Sequence, residues 1–318
     1  MKFFRVIKSA AVEFVADKGM KLSASLAYYT VFSIGPVLVI IISLAGLFYG
    51  REAAQGKIYY QINDFIGNAA ALQVQEIIQN IEKSQLSASG AVVGFVVLLV
   101  GATGVFTEIQ DSINYIWSIK AKPKRGVVKL LTDRMISFSL IISFGFVMLV
   151  SLIINALVDV LQEQLMLYFK AETVYIFQAV NYIILFAIIA MLFAIIFKVL
   201  PDATIRWRDA FIGAAFTAVL FLIGKFLIGF YLGHSNVGET YGAAASIILV
   251  LLWVYYTSII LFFGAEFTKV YTLNYGGGIE PNKTAVFILK REAKELDYER
   301  LDAPQAVKGA RIKEKVQA

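Results

Sequence analysis

Long apolar segments alternate with polar loops along most of this chain. Six of them are long enough to span a bilayer, and they run near residues 24–49, 91–118, 136–158, 176–199, 210–232 and 243–268. A helix needs roughly 20 apolar residues to cross a hydrocarbon core about 30 Å thick. Because that core cannot solvate free backbone N–H and C=O groups, each segment must be helical. The pattern therefore predicts an all-α polytopic membrane protein with six transmembrane helices.

An amphipathic segment precedes this membrane domain, which we place at residues 23–272. Within residues 1–22, apolar side chains recur on one helical face, with Lys2, Arg5 and Lys8 elsewhere. This is typical of an interfacial helix on an anionic cytoplasmic leaflet. A helix packed against the underside of the bundle would show the same pattern, so both interpretations stand.

Two further segments differ from the spans in pattern. The loop at residues 50–89 repeats apolar residues at helical spacing, which predicts two short amphipathic helices on the outer face. Residues 273–318 are rich in charge and contain three consecutive glycines. We predict that they form a mobile cytoplasmic tail with a short helical stretch near residues 284–300.

Basic residues gather on alternate sides of the predicted spans. They fill the N-terminal tail, the loops after the second and fourth spans, and the C-terminal tail. The loops on the other side carry only Arg51, Lys57, Lys83 and Lys170. Because basic loops stay in the cytoplasm, both termini are predicted to be cytoplasmic, which requires an even number of spans and agrees with six.

Composition narrows the kinds of site this chain could hold. Hydrophobic residues make up 59% of the chain and charged residues 16%, against roughly 25% charged in a typical soluble domain. There is no cysteine and one histidine, His234, so the sequence predicts no metal site and no cofactor. The net charge of +6 comes from residues that flank spans, which indicates membrane lipids as partners and not nucleic acid.

The second span carries the most informative polar pattern. Seven of its residues are separated by three, four or seven positions and therefore share one stripe of a helix: Gly90, Gly94, Gly101, Gly104, Glu108, Asp111 and Tyr115. The glycines allow close helix packing. Ionisable groups inside a membrane are costly, so Glu108 and Asp111 need an explanation. They either bind a cation or relay protons, or they hydrogen-bond neighbouring helices as a polar cluster.

The fifth predicted span contains a single lysine, whose positive charge is opposite to the charges of Glu108 and Asp111 in the second span. Lys225 shares a predicted face with Ala214, Ala218 and Gly229. Its side chain could extend to the outer surface, or it could pair with a carboxylate on a facing helix. If spans one to three and four to six are inverted repeats, Lys225 and Glu108 lie on equivalent helices.

Charged residues also mark the cytoplasmic ends of the last two spans. Arg206, Trp207 and Arg208 precede the fifth span and are predicted to be an interfacial anchor; holding a lipid headgroup is the alternative. Glu266 and Lys269 lie three residues apart in the sixth span, which predicts an interfacial salt bridge.

Polar aromatic residues lie near the middle of the sixth span. Trp253, Tyr255 and Tyr256 carry N–H and O–H groups that need partners within the membrane. A hydrogen-bonded helix interface and a substrate-facing cluster both fit this pattern.

Four sequence segments resemble the YihY/BrkB family of bacterial inner-membrane proteins, which carry the older label ribonuclease BN. They are KLSASLAYYTVFSIGPVL at 21–38, GVFTEIQDSINYIW at 104–117, KVLPDATIRWRDAFIGA at 198–214 and YGAAASIILVLLWVYYTSIILFFGAEFTKVY at 241–271. The resemblance covers about residues 15 to 272. It implies a six-helix, multi-pass protein of the bacterial plasma (inner) membrane with cytoplasmic ends, and it implies no settled activity.

These features favour a transport-like or lipid-handling protein with an intramembrane site at Glu108, Asp111, Tyr115 and Lys225. Its substrate would be a small solute, an ion or a lipid. The alternative is a non-catalytic membrane scaffold or envelope-integrity protein, in which the same groups only fix helix register. The older label of the family raises the question of ribonuclease activity. Hydrolytic RNA cleavage generally needs a metal cluster or an acid–base pair, and this sequence supplies neither. We therefore predict no catalytic residues.

Overall fold

A computed structural model describes residues 2–33, 71–72, 74–75, 104–122, 172–233 and 245–290. Most of these residues are helical. The helices discussed below are α1 (Lys2–Ala16), α2 (residues 19–33), α3 (residues 104–116), α4 (Glu172–Val199), α5 (Trp207–Gly233) and α6 (Ala245–Tyr275). Four short strands accompany them: β1 (Ile119–Ala121), β2 (Ala203–Thr204), β3 (Glu280–Pro281) and β4 (Ala285–Phe287).

Three of the described helices are long and apolar enough to cross a membrane. The candidate segments are Tyr182–Val199, Trp207–Tyr231 and Ile247–Tyr275. They coincide with the predicted fourth, fifth and sixth spans. The predicted third span and most of the outer loop at 50–89 lie outside the described residues, so the number of six spans stays a prediction.

The first helix packs against the bundle through one of its faces. Val6, Ala10 and Phe14 are buried, and Val6 and Ala10 form a cluster with Phe267 and Val270 of α6. This geometry agrees with the prediction of a helix packed on the bundle.

A second face of α1 is apolar and basic but remains uncovered. The exposed fractions of Phe4 and Val15 are 72% and 75%, and Arg5 and Lys8 are exposed beside them. The apolar residues of α1 therefore lie on two faces. The sequence pattern predicts a single apolar face, and that prediction is wrong. The exposed face of α1 has the apolar and basic composition of an interfacial helix.

A sharp corner joins α1 to α2. Lys18 has a positive φ of 56°, a conformation that costs energy for a residue with a Cβ. Gly19 follows, and a Cβ atom there would overlap the ring of Phe14. The corner thus needs a glycine at residue 19, and it sets the direction in which α2 enters the bundle.

A close and reciprocal contact joins α5 to α6. A Cβ atom on Gly213 would overlap Thr268, and one on Gly264 would overlap Thr217. Both threonine hydroxyls donate to the glycine carbonyl one turn earlier in their own helix, Thr217 to Gly213 and Thr268 to Gly264, each at 2.7 Å. Small residues let the two backbones approach closely, and the internal bonds leave no hydroxyl unpaired at the contact.

The third helix is fastened to this unit by buried hydrogen bonds. The Asn114 side chain donates to Asp202 Oδ2 at 3.0 Å and accepts from the Asp202 backbone N–H at 2.8 Å. Trp117 Nε1 donates to the carbonyl of Ala265 at 3.1 Å. Around these bonds, Ile113 and Phe197 are fully buried in the main hydrophobic cluster.

Two antiparallel strand pairs close one end of the bundle. β1 pairs with β4, and β2 pairs with β3. The loop after α3, the turn between α4 and α5, and the segment after α6 therefore lie at the same end, as the predicted topology requires. Which compartment this end faces stays a prediction.

The strands correct part of the prediction for the C-terminal segment. Residues 273–318 were expected to be a mobile tail, yet its early part, through residue 287, completes α6 and then pairs as β3 and β4. Residues 285–287 are strand and not the start of a helix, because their backbone groups pair with the loop after α3. Residues from 291 onward lie outside the described part of the chain.

We predict that substitution of Gly213 by alanine destabilises the protein. The added methyl group overlaps Thr268, and overpacking of this kind costs about 1–3 kcal/mol, which outweighs a gain of up to about 1 kcal/mol in helix propensity. The measurement is thermal unfolding in detergent, followed by tryptophan fluorescence.

Gly229→Ala on the same helix is the matched control, since a Cβ atom there meets nothing within 4 Å. This variant should unfold at the native temperature or slightly above it. Equal unfolding temperatures for the two variants would contradict the close α5–α6 contact.

Candidate functional site

The third helix has one face in the hydrophobic core and one face outside it. Ile109, Ile113 and Ile116 are buried, whereas Glu108 is half-buried and Asp111 is exposed. Side chains three or four positions apart share a face of a helix, so the two carboxylates lie together on the side away from the core. The core of the described bundle does not enclose them.

Other members of the predicted stripe follow the same division. Tyr115 is exposed on the side of Asp111, and both residues have an interaction partner. A Cβ atom on Gly104 would lie 3.5 Å from Tyr29 Cδ1, so Gly104 faces α2, and its role in helix packing stays a prediction. Gly90, Gly94 and Gly101 lie outside the described residues.

Lys225 lies on α5 and is half-buried. Ala214 and Ala218, which share its predicted face, are fully buried in the core, whereas Gly229 is half-buried with open space around it. The predicted face is thus fully buried at Ala214 and Ala218 and half-buried at Lys225 and Gly229. Lys225 also has an interaction partner, and its membership of one site with Glu108 and Asp111 stays a prediction.

A basic and aromatic cluster lies where α5 begins. Arg206 and Arg208 are exposed, and so is Trp207. Lys198, at the end of α4, donates to the carbonyl of Ile205 and lies 5.8 Å from the centre of the Trp207 ring. Exposed cations around an exposed indole suit the boundary between hydrocarbon and headgroups, where such residues are enriched.

The stem of Arg206 is held in place by the segment after α6. A Cβ atom on Gly277 would overlap the Arg206 side chain, and the Gly277 backbone N–H donates to Asp209 Oδ2 at 2.8 Å. The Arg206 side chain, although exposed overall, therefore lies against Gly277 through its Cδ, Nε and Cζ atoms. This arrangement can offer several N–H donors to an anionic headgroup in a fixed place.

A buried charge cluster joins α1 to α6. Lys269 Nζ lies 3.1 Å from Glu266 Oε2, as the predicted salt bridge requires, and it also lies 2.7 Å from Glu13 Oε2 and 3.5 Å from Asp17 Oδ2. No local pattern connects Glu13 and Asp17 to Lys269, because they precede it by about 250 positions. Their spacing of four residues is the one signal that could have indicated a shared partner.

The mid-span aromatic residues serve helix contacts in the described part of the chain. Tyr255 donates its hydroxyl to Met20 Sδ at 3.5 Å, and Tyr256 packs where a Cβ atom on Gly224 would be. Trp253 packs edge-on against Phe221, with ring centres 6.3 Å apart. These contacts place the three residues at helix interfaces, with a hydrogen bond for Tyr255 and none for the buried Trp253 Nε1 in the described structure. Among the described residues, no group of three or more His, Asp or Glu side chains could hold a metal ion.

The sequence of this chain is similar to those of a family of bacterial membrane proteins. The family model described as Virulence factor BrkB matches residues 10–287. A protein of Pseudomonas aeruginosa strain LESB58 named UPF0761 membrane protein is 28% identical over 262 residues, which are 80% of this chain and 60% of that protein. UPF0761 membrane proteins of Stenotrophomonas maltophilia strain K279a and Psychrobacter sp. strain PRwf-1 are each 25% identical, over 80% and 90% of this chain and 58% and 52% of their own lengths.

The chain thus spans about three fifths or less of the length of these curated relatives. No solved structure matches it. The family match covers every helix described above apart from the start of α1 and includes all four strands. The chain therefore belongs to the BrkB family of membrane proteins.

Proposed function

We propose that this membrane protein binds and moves a small solute, an ion or a lipid through a polar site formed by Glu108, Asp111 and Tyr115 of α3 and by Lys225 of α5. The site would lie within the bilayer of a bacterial plasma membrane. The proposal involves no catalytic chemistry by the protein.

One observation carries the proposal: the carboxylates of α3 are outside the core while the other face of the same helix is inside it. If these groups served only to fix helix register, they would be expected to be buried. Asn114 and Asp202 are a buried polar pair in this protein, and their two hydrogen bonds join α3 to the turn between α4 and α5. Asp111 lies one turn from Asn114 and is exposed.

The chemistry of the four residues suits a substrate with both charge and apolar surface. Glu108 and Asp111 attract a cationic group, and Lys225 attracts an anionic one. In a medium of low dielectric constant these attractions are stronger than in water, and Tyr115 adds a hydroxyl group and an apolar ring. A zwitterionic headgroup or a small ion accompanied by protons fits this set.

The scaffold alternative has its own support. The reciprocal Gly–Thr contact joins α5 to α6, and the buried Asn114–Asp202 pair joins α3 to the α4–α5 turn. A protein that only organises other membrane components would need such contacts and no transported substrate. Transport measurements on variants of the polar face of α3, formed by Glu108, Asp111 and Tyr115, and of Lys225 separate the two functions.

We predict that Glu108→Gln, Asp111→Asn and Lys225→Met each slow transport by at least about tenfold. A hydrogen bond to a charged group contributes roughly 1.5–3 kcal/mol, and each change removes one charge while keeping similar volume. The measurement uses proteoliposomes and two probes, which are transbilayer movement of a fluorescent phospholipid and ion flux reported by an enclosed dye.

Glu280→Gln is the matched control, because Glu280 is an exposed carboxylate on β3, after the last helix. It should move both probes at the native rate. Native activity in all three site variants, each shown to be folded, would remove the polar face from the mechanism. Absence of any flux in the native protein would favour the scaffold.

We also predict that the cluster at the start of α5 holds anionic lipid. Each basic residue near an anionic surface contributes about 1 kcal/mol, so the double variant Arg206→Gln, Arg208→Gln should retain less phosphatidylglycerol than the native protein. Native mass spectrometry of protein in detergent with added lipid measures the bound fraction.

The control for this experiment is the double variant Lys120→Gln, Lys283→Gln, which removes two exposed lysines at the same end of the bundle. It should keep the native bound fraction. An equal loss in both double variants would show that net charge alone, and not the cluster around Trp207, attracts the lipid.

A further inference from the structure

Helix α1 runs across α6 and not along it. The ring of Phe3 packs edge-on against the ring of Phe267, and that of Phe14 against Phe263, with ring centres 5.5 and 5.8 Å apart. Phe3 and Phe14 are about 16 Å apart along α1, whereas Phe263 and Phe267 are only about 6 Å apart along α6. Helices lying side by side would cover equal lengths of one another, so these two helices cross at a steep angle.

The crossing lies near one end of the apolar part of α6. From Ile247 to Ala265 this helix has no charged side chain, and this length is close to the roughly 20 residues that a hydrocarbon core about 30 Å thick requires. Glu266 and Lys269 follow, and the candidate span continues to Tyr275. When α6 spans the bilayer, α1 therefore lies close to the membrane plane, at the boundary between hydrocarbon and headgroups.

Contacts with α6 distinguish the deep side of α1 from its shallow side. Phe14 contacts Phe263, which lies within the apolar part of α6. Glu13 Oε2 instead lies 2.7 Å from Lys269 Nζ, closer to the end of α6. Because Glu13 and Phe14 are about 100° apart around α1, the side of Phe14 faces the middle of the span and the side of Glu13 faces away from it.

The exposed residues next to the deep side of α1 are apolar. Phe4, Ala11 and Val15 lie within about 40° of one another around the helix, on the far side of Phe14 from Glu13. All three are exposed. They are therefore placed where acyl chains would surround α1.

The exposed residues on the shallow side are basic, polar or small. Arg5, Ser9 and Ala16 lie within about 40° of one another and about 120° from the apolar group, and they are exposed. Lys8 is exposed between the two groups. This side of α1 is therefore placed where headgroups and water would surround it.

The exposed face of α1 carries positive charge. The helix contains one acidic residue, Glu13, and its carboxylate is paired with Lys269 of α6. The charge of the exposed face thus comes from Arg5 and Lys8. Basic residues on an amphipathic helix are attracted to anionic lipids at the membrane surface.

We propose that α1 binds the membrane surface as an interfacial helix, with Phe4 and Val15 among the acyl chains and with Arg5 and Lys8 at the phosphate groups of anionic phospholipids. This surface is separate from the cluster around Trp207. It is also separate from the polar face of α3 and does not depend on the function proposed for that face.

The chain has no cysteine, so spin labels on single introduced cysteines report their local surroundings without background. Val15→Cys and Ala16→Cys compare neighbouring exposed positions of the full chain in vesicles of phosphatidylcholine and phosphatidylglycerol. The label at residue 15 should collide more often with oxygen, which concentrates in hydrocarbon, and the label at residue 16 with a water-soluble nickel chelate. Phe4→Cys and Ser9→Cys repeat the comparison on the same two sides, in case either of the first variants does not fold.

A fluorophore attached to Val15→Cys tests the preference for anionic lipid. Spin-labelled phosphatidylglycerol should quench it at least about twofold more strongly than spin-labelled phosphatidylcholine at the same mole fraction. The added double change Arg5→Gln, Lys8→Gln should abolish this difference. The matched change Lys120→Gln, Lys283→Gln removes the same charge elsewhere and should keep it.

Three results would overturn the proposal. The first is equal nickel accessibility on the two sides of α1, which would place its whole exposed face in water. The second is low accessibility to both reagents on both sides, which would show that protein and not lipid covers the face. The third is equal quenching by the two lipids in the native background. None of these results bears on flux through the α3 site, so the two proposals fail independently.

Discussion

A short stretch of α6, residues 263–269, contacts three other helices, and the described bundle depends on it. Gly264 and Thr268 meet α5, the carbonyl of Ala265 accepts from Trp117 after α3, and Lys269 binds the acidic residues of α1. These contacts point in different directions because successive residues of a helix are about 100° apart. In hydrocarbon there is no water to replace a lost partner, so polar and close-packed contacts in one place fix several helices at once.

The polar residues of the described bundle fall into two groups. Asn114, Asp202 and Thr217 are buried and paired, and they hold helices together. Glu108 and Asp111 are on the side of α3 away from the core, where Glu108 is half-buried and Asp111 is exposed. A polar group near a membrane is expensive to keep unless it contributes to structure or function. The second group is therefore the more informative one for function.

Much of the fold was predictable from hydrophobicity alone. The last three spans were placed by their length, and the Glu266–Lys269 pair by its spacing, since both are local properties of the sequence. The Asn114–Asp202 and Thr268–Gly213 contacts join residues far apart in the chain, and no periodicity within one helix predicts them. The strands after α6 were missed because three glycines and a charged composition are typical of a tail. Their pairing depends on the loop after α3, which one segment cannot reveal.

The strand pairs limit how this molecule could change shape. β1 with β4 and β2 with β3 tie together the ends of α3, α4, α5 and α6 on one side of the bundle. A hinge at that side would have to break both ladders, whereas rocking about them leaves every backbone bond intact. Each ladder is only two or three residues long, and a backbone hydrogen bond contributes about 1 kcal/mol net. The tied ends are thus a natural pivot, and any change of shape in the bundle is expected at its opposite end first.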